Sequence, residues 1–192
     1  MKRYLTGCIR LGVFALVLFV LHGCASMSPE EQEAKRSELD KMGDETIAAL
    51  LEKHPEAQEA LELALGYVVI DMTATKIPVF GAGGGSGVIV DGRSGRKSYV
   101  KVSRFEVGGG LGAQKFKVIV FFEDEKLLDR AIKGAWHFEA GAEAAAGGTG
   151  AEGQATPSDK GYRAFKIVQG GAVASVTIRV ARATPYLKQA EH

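Results

Sequence analysis

Seven basic side chains fall within 25 residues of a chain that is otherwise weakly acidic. They are Arg93, Arg96, Lys97, Lys101, Arg104, Lys115 and Lys117. On neighbouring strands of an antiparallel meander several of them would share a face and attract anionic lipid head groups, at about 1 kcal/mol per basic residue near the surface. Lysines that protect the edge of a sheet from pairing with other chains produce the same pattern. Both interpretations stay open at this point.

The sequence contains no pattern that is typical of an active site. Gly108-x-Gly110-x-x-Ala113 formally fits a dinucleotide fingerprint, but a strand-like run follows where that motif needs a helix. No Gly-Lys-Ser/Thr follows a glycine cluster, and Ser86 lacks the nucleophile-elbow pattern. We therefore expect a non-enzymatic protein without catalytic residues or a cofactor.

Histidine and carboxylate spacings predict no metal site. The histidines beyond the amino-terminal segment are His54, His137 and His192, and no H-x-x-x-H pattern occurs. Glu139 and Glu143 are four residues apart and would share one face of a helix. Such a pair is either a metal or acid–base site or an ordinary structural pair, and the second interpretation is favoured.

The amino terminus has the form of a secretory signal. Basic residues at positions 2 and 3 precede an apolar run from Leu11 to Leu21 that is too short to span a bilayer comfortably. The run ends in Leu21-His22-Gly23-Cys24, which resembles the lipobox of bacterial lipoproteins. That resemblance implies that Cys24 is acylated with chains such as palmitate. The absence of Asp after the cysteine implies a location in the outer membrane, on the periplasmic or the surface face of that membrane. An ordinary cleaved signal is the alternative.

Composition limits what the mature chain can do. Removal of residues 1–23 leaves 169 residues with 21 basic and 23 acidic side chains, a net charge of −2, which gives no general case for nucleic-acid binding. The two cysteines are Cys8, in the signal, and Cys24, so the mature chain has no disulfide or thiolate metal site. Its length suggests one domain.

A glycine-rich turn and the strand after it organise the rest of the chain. Phe116–Phe122 is apolar at nearly every position, which predicts a central strand covered on both faces. The pattern F-x-x-G-G-G-x-G begins at Phe80 and again at Phe105. Glycines ahead of apolar runs mark bends or close backbone approach. We interpret the two copies as related bends in one antiparallel sheet.

Helix and strand signals surround this centre. Ser28-Pro29 is typical of a helix start, and Met42 to Asp44 is a possible interruption of that helix. A second helix is predicted from Pro55 with a stop at Gly66, and a short one at 125–133 with Asp124 as its cap and Gly134 as its stop. The predicted strands are Tyr67–Ile70, Lys97–Phe105, Tyr162–Val168 and Ala172–Arg182.

These elements predict an α+β fold. We expect N-terminal helices packed on a curved, mainly antiparallel sheet or partial β-barrel, with a short inserted helix. The predicted organisation is a signal peptide at 1–23, a lipidated N-terminus and charged helical tether at 24–54, a folded domain at 55–185 and a tail at 186–192.

Several segments together resemble the SYLF domain, a lipid-binding module. The first is KIPVFGAGGGSGVIV at Lys76–Val90, the second is Gly109–Gln114, and the third is Gly134–Gly150. Within the third, Phe138–Gly147 is similar to the family's G-A-D-A-x-x-A-A-G segment, with Glu143 where Asp is frequent. Tyr67–Ile70 is similar to the family's opening strand, although Asp71 stands where proline is common.

The resemblance implies a SYLF-like domain at 55–185 that binds phosphoinositides or other anionic lipids without catalysis. The expected partners are therefore membrane lipids, and no nucleic acid. Actin binding in the family belongs to eukaryotic members and is not carried over. The alternative function is a structural or protein-interaction module of the outer membrane, with an unidentified envelope partner, whose membrane contact is the lipid anchor.

Overall fold

The structure, a computed structural model, describes residues 27–134, 137–145 and 161–187. The predicted signal peptide and Cys24 lie outside these ranges. The chain divides into two compact units, Met1–Ala34 and Lys35–His192. Residues 27–34 of the first unit contain the start of a helix, and the second unit contains the sheet described below.

The fold is α+β, as predicted. Three helices and five strands follow in the order α1 Pro29–Lys53, α2 Glu56–Leu63, β1 Gly66–Lys76, β2 Phe80–Asp91, β3 Lys97–Phe122, α3 Glu125–Ile132, β4 His137–Ala145 and β5 Tyr162–Pro185. The strands form one mainly antiparallel, open sheet in the order β1-β2-β3-β5-β4, with β1 also paired to β3. The curved sheet with an inserted helix is confirmed, and the sheet does not close into a barrel.

Helix α1 begins where the sequence predicts. Ser28 Oγ accepts from the backbone N–H of Glu31, and the Glu31 carboxylate accepts from the N–H of Ser28, which is a capping box. The predicted interruption at Met42–Asp44 is wrong, since α1 is continuous to Lys53. Gly43 instead lets the helix approach the sheet, because a Cβ there would lie 2.8 Å from Val88 Cγ1.

The predicted helix stop at Gly66 is also wrong. Helix α2 ends at Leu63, and the N–H of Leu65 already donates to the carbonyl of Phe122. Gly66 is the first residue of β1, where a Cβ would lie 2.5 Å from the Val90 carbonyl oxygen. Close strand packing, not a helix cap, therefore explains this glycine.

Strand β3 wraps around the β1–β2 hairpin. Its first arm pairs antiparallel with β2, ending with Phe80 opposite Val107. Its second arm pairs antiparallel with β1, from Lys76 opposite Gly112 to Gly66 opposite Phe122. Since β1 and β2 are themselves antiparallel, β3 reverses direction at the hairpin tip.

Three glycines make this reversal possible. Gly108, Gly110 and Gly112 have φ of 137°, 151° and 140°, a region that residues with a Cβ rarely adopt. Strand β5 follows β3 through the bend with no shift of register until Lys115/Phe116. Both strands therefore change direction together at the bend, and the sheet folds back on itself there.

The two faces of the sheet have different coverings. On the face that we call inner, side chains of β1 and both arms of β3 form one cluster with Leu128 and Ala131 of α3. On the face that we call outer, Leu50, Ala57 and Ala60 of α1 and α2 pack with β1, β3 and β5. The prediction that β3 is central and covered on both faces is confirmed.

Both glycine repeats place glycine on the inner face. Because side chains alternate along a strand, the inner positions are Gly81, Gly83, Gly85 and Gly87 in β2 and Gly108, Gly110 and Gly112 in β3. The second repeat is a bend, as predicted, but the first is not, since β2 pairs regularly with β1 throughout. Its glycines allow close approach instead: a Cβ on Gly85 would lie 2.0 Å from the Asp71 carbonyl oxygen.

The remaining elements follow the sequence signals closely. Asp124 caps α3 by accepting from the N–H of Leu127, and Gly134, with φ of 66°, follows the helix, as predicted. The two predicted closing strands are one strand, β5, which pairs with β3 from Phe122 opposite Tyr162 to Val100 opposite Pro185.

We expect Gly110→Ala to lower the free energy of unfolding by about 1–3 kcal/mol, because a Cβ is strained at this φ. Urea unfolding of the chain from Ala25 measures the change. Gly109→Ala is the matched control: a Cβ at Gly109 meets nothing within 4 Å, and a change within about 0.5 kcal/mol is expected. Equal losses in the two variants would contradict the role of the bend.

Candidate functional site

A cluster of exposed apolar side chains covers the outside of the bend. We call it the apolar tip, and its members are Ile77, Val79, Phe80, Phe105, Val107 and Leu111. Phe105 is 66% exposed and Leu111 62%. Side-chain exposure is described for residues 27–134, 161–169 and 182–187, and among these Leu63, on α2, is the one other large apolar side chain that is exposed. Apolar exposure is therefore concentrated at one end of the sheet.

The backbone brings the members of the apolar tip together. Phe80 lies directly opposite Val107 across β2 and β3. The N–H of Gly108 donates to the Val79 carbonyl, and the N–H of Ile77 donates to the Phe80 carbonyl. Since Gly108, Gly110 and Gly112 occupy the inner positions of the bend, its large apolar side chains lie on the outer face. Contiguous apolar surface of this kind marks a protein or membrane contact site.

Two exposed lysines flank the apolar tip on the same outer face. Lys101 lies four residues before Phe105 on the first arm of β3, and Lys115 lies four residues after Leu111 on the second arm. Four residues of strand correspond to about 13 Å. The Lys101 ammonium lies 5.8 Å from the centre of the Tyr186 ring. Each arm therefore carries one cation behind the apolar residues.

Two further predicted lysines share the outer face but contact helix α1. Lys97 Nζ lies 3.2 Å from the Asp40 carboxylate, and Lys117 Nζ donates to the hydroxyl of Thr46 at 3.0 Å. Tyr99, between them in the sheet, donates to the same Asp40 at 3.2 Å. These contacts hold α1 on the sheet, so Lys97 and Lys117 are less available to an external ligand than Lys101 and Lys115.

The remaining predicted basic residues lie elsewhere. Arg93 and Arg96 belong to the β2–β3 turn, at the end of β2 opposite the apolar tip. Arg93 contacts three carboxylates, those of Asp91, Glu125 and Asp129, at 2.7–2.9 Å. Hydrogen bonds to Asp91 and Asp129 raise the pKa of Arg93, and the bond from Arg93 lowers the pKa of Asp91. Because Glu125 and Asp129 belong to α3, these ion pairs connect α3 to the β2–β3 turn.

Arg104 lies on the inner face, away from the four lysines. Its guanidinium pairs with Glu106 and lies 5.4 Å from the centre of the Phe116 ring, on the other arm of β3. The structure thus brings Lys97, Lys101, Lys115 and Lys117 to one face, and does not bring Arg93, Arg96 and Arg104 to it. Edge protection does not explain the lysines, because β3 is paired on both sides along most of its length.

A shallow groove lies between α1 and the outer face. Its volume is about 270 Å³. Its lining includes Lys35, Glu38, Asp71, Ser86 and Lys115. Lys35 and Glu38 are paired at 2.7 Å.

Burial and the Asp44 carboxylate raise the pKa of Tyr67, farther along the same outer face.

Strand β4 carries the candidate carboxylate pair. Glu139 and Glu143 lie in strand β4, so the prediction that they share a helical face is wrong. The described residues contain no group of three or more His, Cys, Asp or Glu that could hold a metal ion. Among them, no helix is long and apolar enough to cross a membrane.

Sequence reasoning missed the apolar tip. The sequence analysis gives Ile77, Val79 and Phe80 no role in binding, whereas the structure exposes their side chains. The signal was available: apolar residues lie at the outward positions of both glycine repeats, Phe80 in the first and Phe105, Val107 and Leu111 in the second.

The comparisons with known proteins give a distant relative. The chain is 24% identical over 110 residues to Beta cell expansion factor A of Aeromonas veronii, a SYLF-domain protein. The match covers 57% of this chain and 42% of that protein, less than half of its length. No family model matches the sequence. The relationship to a SYLF-domain protein is therefore a distant one.

The ion pairs of Arg93 with Asp91, Glu125 and Asp129 predict that the stability of the fold depends on pH. The pKa of Asp91 is lowered in the folded state. The ionised Asp91 carboxylate therefore contributes to the free energy of unfolding fully above the ordinary carboxyl pKa of about 3.9, and this contribution is lost as pH falls through the lower pKa of the folded state. We expect Asp91→Asn to lower the urea midpoint at pH 7 and to differ little from wild type near pH 2.

Glu52→Gln, which removes one carboxylate of α1, is the control for the loss of a negative charge in this experiment. A deficit of Asp91→Asn that stays constant between pH 7 and pH 2 would contradict the ionic origin of the effect.

Proposed function

We propose that this domain binds the surface of anionic membranes through the apolar tip and the lysines behind it, without catalysis. The observation that carries the proposal is the concentration of six exposed large apolar side chains at the bend of β3. A bilayer interface accepts apolar side chains at the depth of the acyl boundary and basic ones at the level of the head groups.

The dimensions of the tip fit this mode of binding. Amphipathic surfaces enter the boundary between head groups and acyl chains by about 5–10 Å. With the apolar tip at that depth, Lys101 and Lys115, about 13 Å behind it along each arm, would lie among the phosphates. Burying one exposed apolar side chain contributes about 1–2 kcal/mol.

The sequence resemblance and the distant relative support the same proposal. The SYLF-like segments predict anionic-lipid binding, and two of them, Lys76–Val90 and Gly109–Gln114, include the β1–β2 tip and part of the bend. The relative is a SYLF-domain protein. We further propose that the protein is an outer-membrane lipoprotein anchored through Cys24, with the folded domain adding a second membrane contact.

Co-sedimentation of the chain from Ala25 with liposomes tests the proposal, since this chain lacks the predicted signal and acyl group. We expect binding to phosphatidylglycerol-containing vesicles at low salt and weaker binding at high salt or to neutral vesicles. Absence of binding to anionic vesicles would contradict the proposal and direct attention to a protein partner.

Removal of apolar surface from the tip should weaken vesicle binding. For Phe80→Ser with Phe105→Ser we expect at least a tenfold loss of affinity, because two exposed aromatic rings no longer enter the interface. Both side chains are exposed, so the urea midpoint should change little. Leu63→Ser, which removes an exposed apolar side chain of α2, is the matched control and should bind like wild type.

Reversal of charge on the flanking lysines should act separately from the apolar tip. Lys101→Glu with Lys115→Glu should lower affinity for anionic vesicles by about tenfold or more and reduce its salt dependence. The control is Lys126→Glu with Lys133→Glu, on or next to α3. Equal losses in the two pairs would show that net charge, and not position, governs binding.

A further inference from the structure

The apolar tip is large enough for a contact between two protein molecules. Its six side chains are 55–66% exposed. Since an aromatic side chain can bury about 150–250 Å² and an aliphatic one somewhat less, the tip offers roughly 600 Å² of apolar surface. Two copies that cover each other's tip would bury roughly 1,200 Å² in total, at the lower end of the range found in stable interfaces.

The surface of the apolar tip contains a notch. Gly109 lies between Val107 and Leu111 on the outer face of β3, because outer positions alternate along the strand. A Cβ built on Gly109 would meet no described atom within 4 Å. The two apolar side chains therefore flank an open gap whose floor is the glycine backbone.

The apolar tip also contains a side chain that can fill such a notch. Phe105 is its most exposed member, at 66%, and lies four residues before Gly109 on the same outer face. In a two-fold symmetric contact the same patch meets itself, so the ring of each copy can enter the notch of the other. The tip is therefore self-complementary, since one surface carries both halves of the contact.

The shape of the apolar tip is fixed by its own backbone. The N–H of Gly108 donates to the Val79 carbonyl, and the N–H of Ile77 donates to the Phe80 carbonyl. A surface that is already ordered loses little conformational freedom on association. The tip therefore needs little rearrangement to meet a second copy.

Charge does not oppose contact between two tips. None of the six members of the apolar tip is charged. Lys101 and Lys115 lie four residues behind it on the two arms of β3, a distance of about 13 Å along each strand. This distance exceeds the Debye length of about 8 Å at physiological ionic strength. The lysines of two copies would therefore repel each other only weakly.

We propose that, away from a membrane, two copies of this chain associate through their apolar tips as a two-fold symmetric dimer. Phe105 of each copy lies in the Gly109 notch of the other. The dimer goes beyond the proposed function and does not depend on it, although it covers the same surface. Because the buried area is small for a stable interface, we expect a dissociation constant on the order of 10 μM.

Sedimentation equilibrium of the chain from Ala25 tests the dimer. This chain contains every helix and strand that the structure describes and lacks the predicted signal and acyl group. We expect the average mass to rise from that of one copy towards twice that value between about 1 and 300 μM, a range that brackets the expected dissociation constant. The dimer should persist at high salt, because its contacts are apolar.

Two variants locate the contact on the apolar tip. Phe105→Ser removes the ring, and Gly109→Lys fills the notch with a charged side chain, so each should raise the dissociation constant about tenfold or more. Both positions are exposed and Gly109 does not have a positive φ, so the urea midpoint should change little. Leu63→Ser, at an exposed apolar residue of α2, is the matched control and should dimerise like wild type.

Three results would overturn the proposal. The first is a wild-type chain that stays monomeric over the whole concentration range. The second is a mass that rises beyond that of two copies, which would show open assembly. The third is an unchanged dissociation constant in Phe105→Ser or Gly109→Lys, which would place the contact elsewhere. The measurement contains no vesicles, so a monomeric wild type contradicts the dimer alone, and a failure to bind vesicles contradicts the proposed function alone.

Discussion

The fold depends on one steric constraint: the inner side of the β3 bend must hold no side chain. The chain reverses around the β1–β2 hairpin within a few residues, with three inner glycines at positive φ. Because β5 stays paired to β3 through the bend, β5 follows the same reversal. The curvature then brings the two arms of β3 close enough for Arg104 to contact Phe116. The inner core and the buried charges both follow from this curvature.

The same constraint separates two kinds of chemistry by a single layer of backbone. On one side of the bend region lie the buried Lys76 and Glu106 and the partly buried Arg104, and on the other side lies the exposed apolar tip. The exposed apolar surface marks a contact site. The charges on the inner face are instead paired with one another, Lys76 and Arg104 with Glu106.

Local signals in the sequence predicted most elements, and long-range pairing explains the failures. The Ser28 capping box, the Asp124 cap and the apolar run at Phe116–Phe122 act within a few residues, so the sequence alone identifies them. Gly43 and Gly66 were misinterpreted because their neighbours, Val88 and Val90, are distant in sequence. The basic residues were identified by composition. Whether a position in β3 is even- or odd-numbered, however, decides which face of the sheet its side chain occupies. Arg104 is even-numbered and inner, whereas the four lysines are odd-numbered and outer.

Strand pairing also has a consequence for how the chain folds. The β1–β2 hairpin and the wrapping of β3 close loops of modest length, whereas Val100 pairs with Pro185 across 85 residues. Non-local pairing of this kind folds slowly. During synthesis the long edge of β3 therefore emerges well before its partner, as an unpaired edge that can pair with other chains. Pairing with β5 therefore ends the interval in which this edge of β3 is exposed.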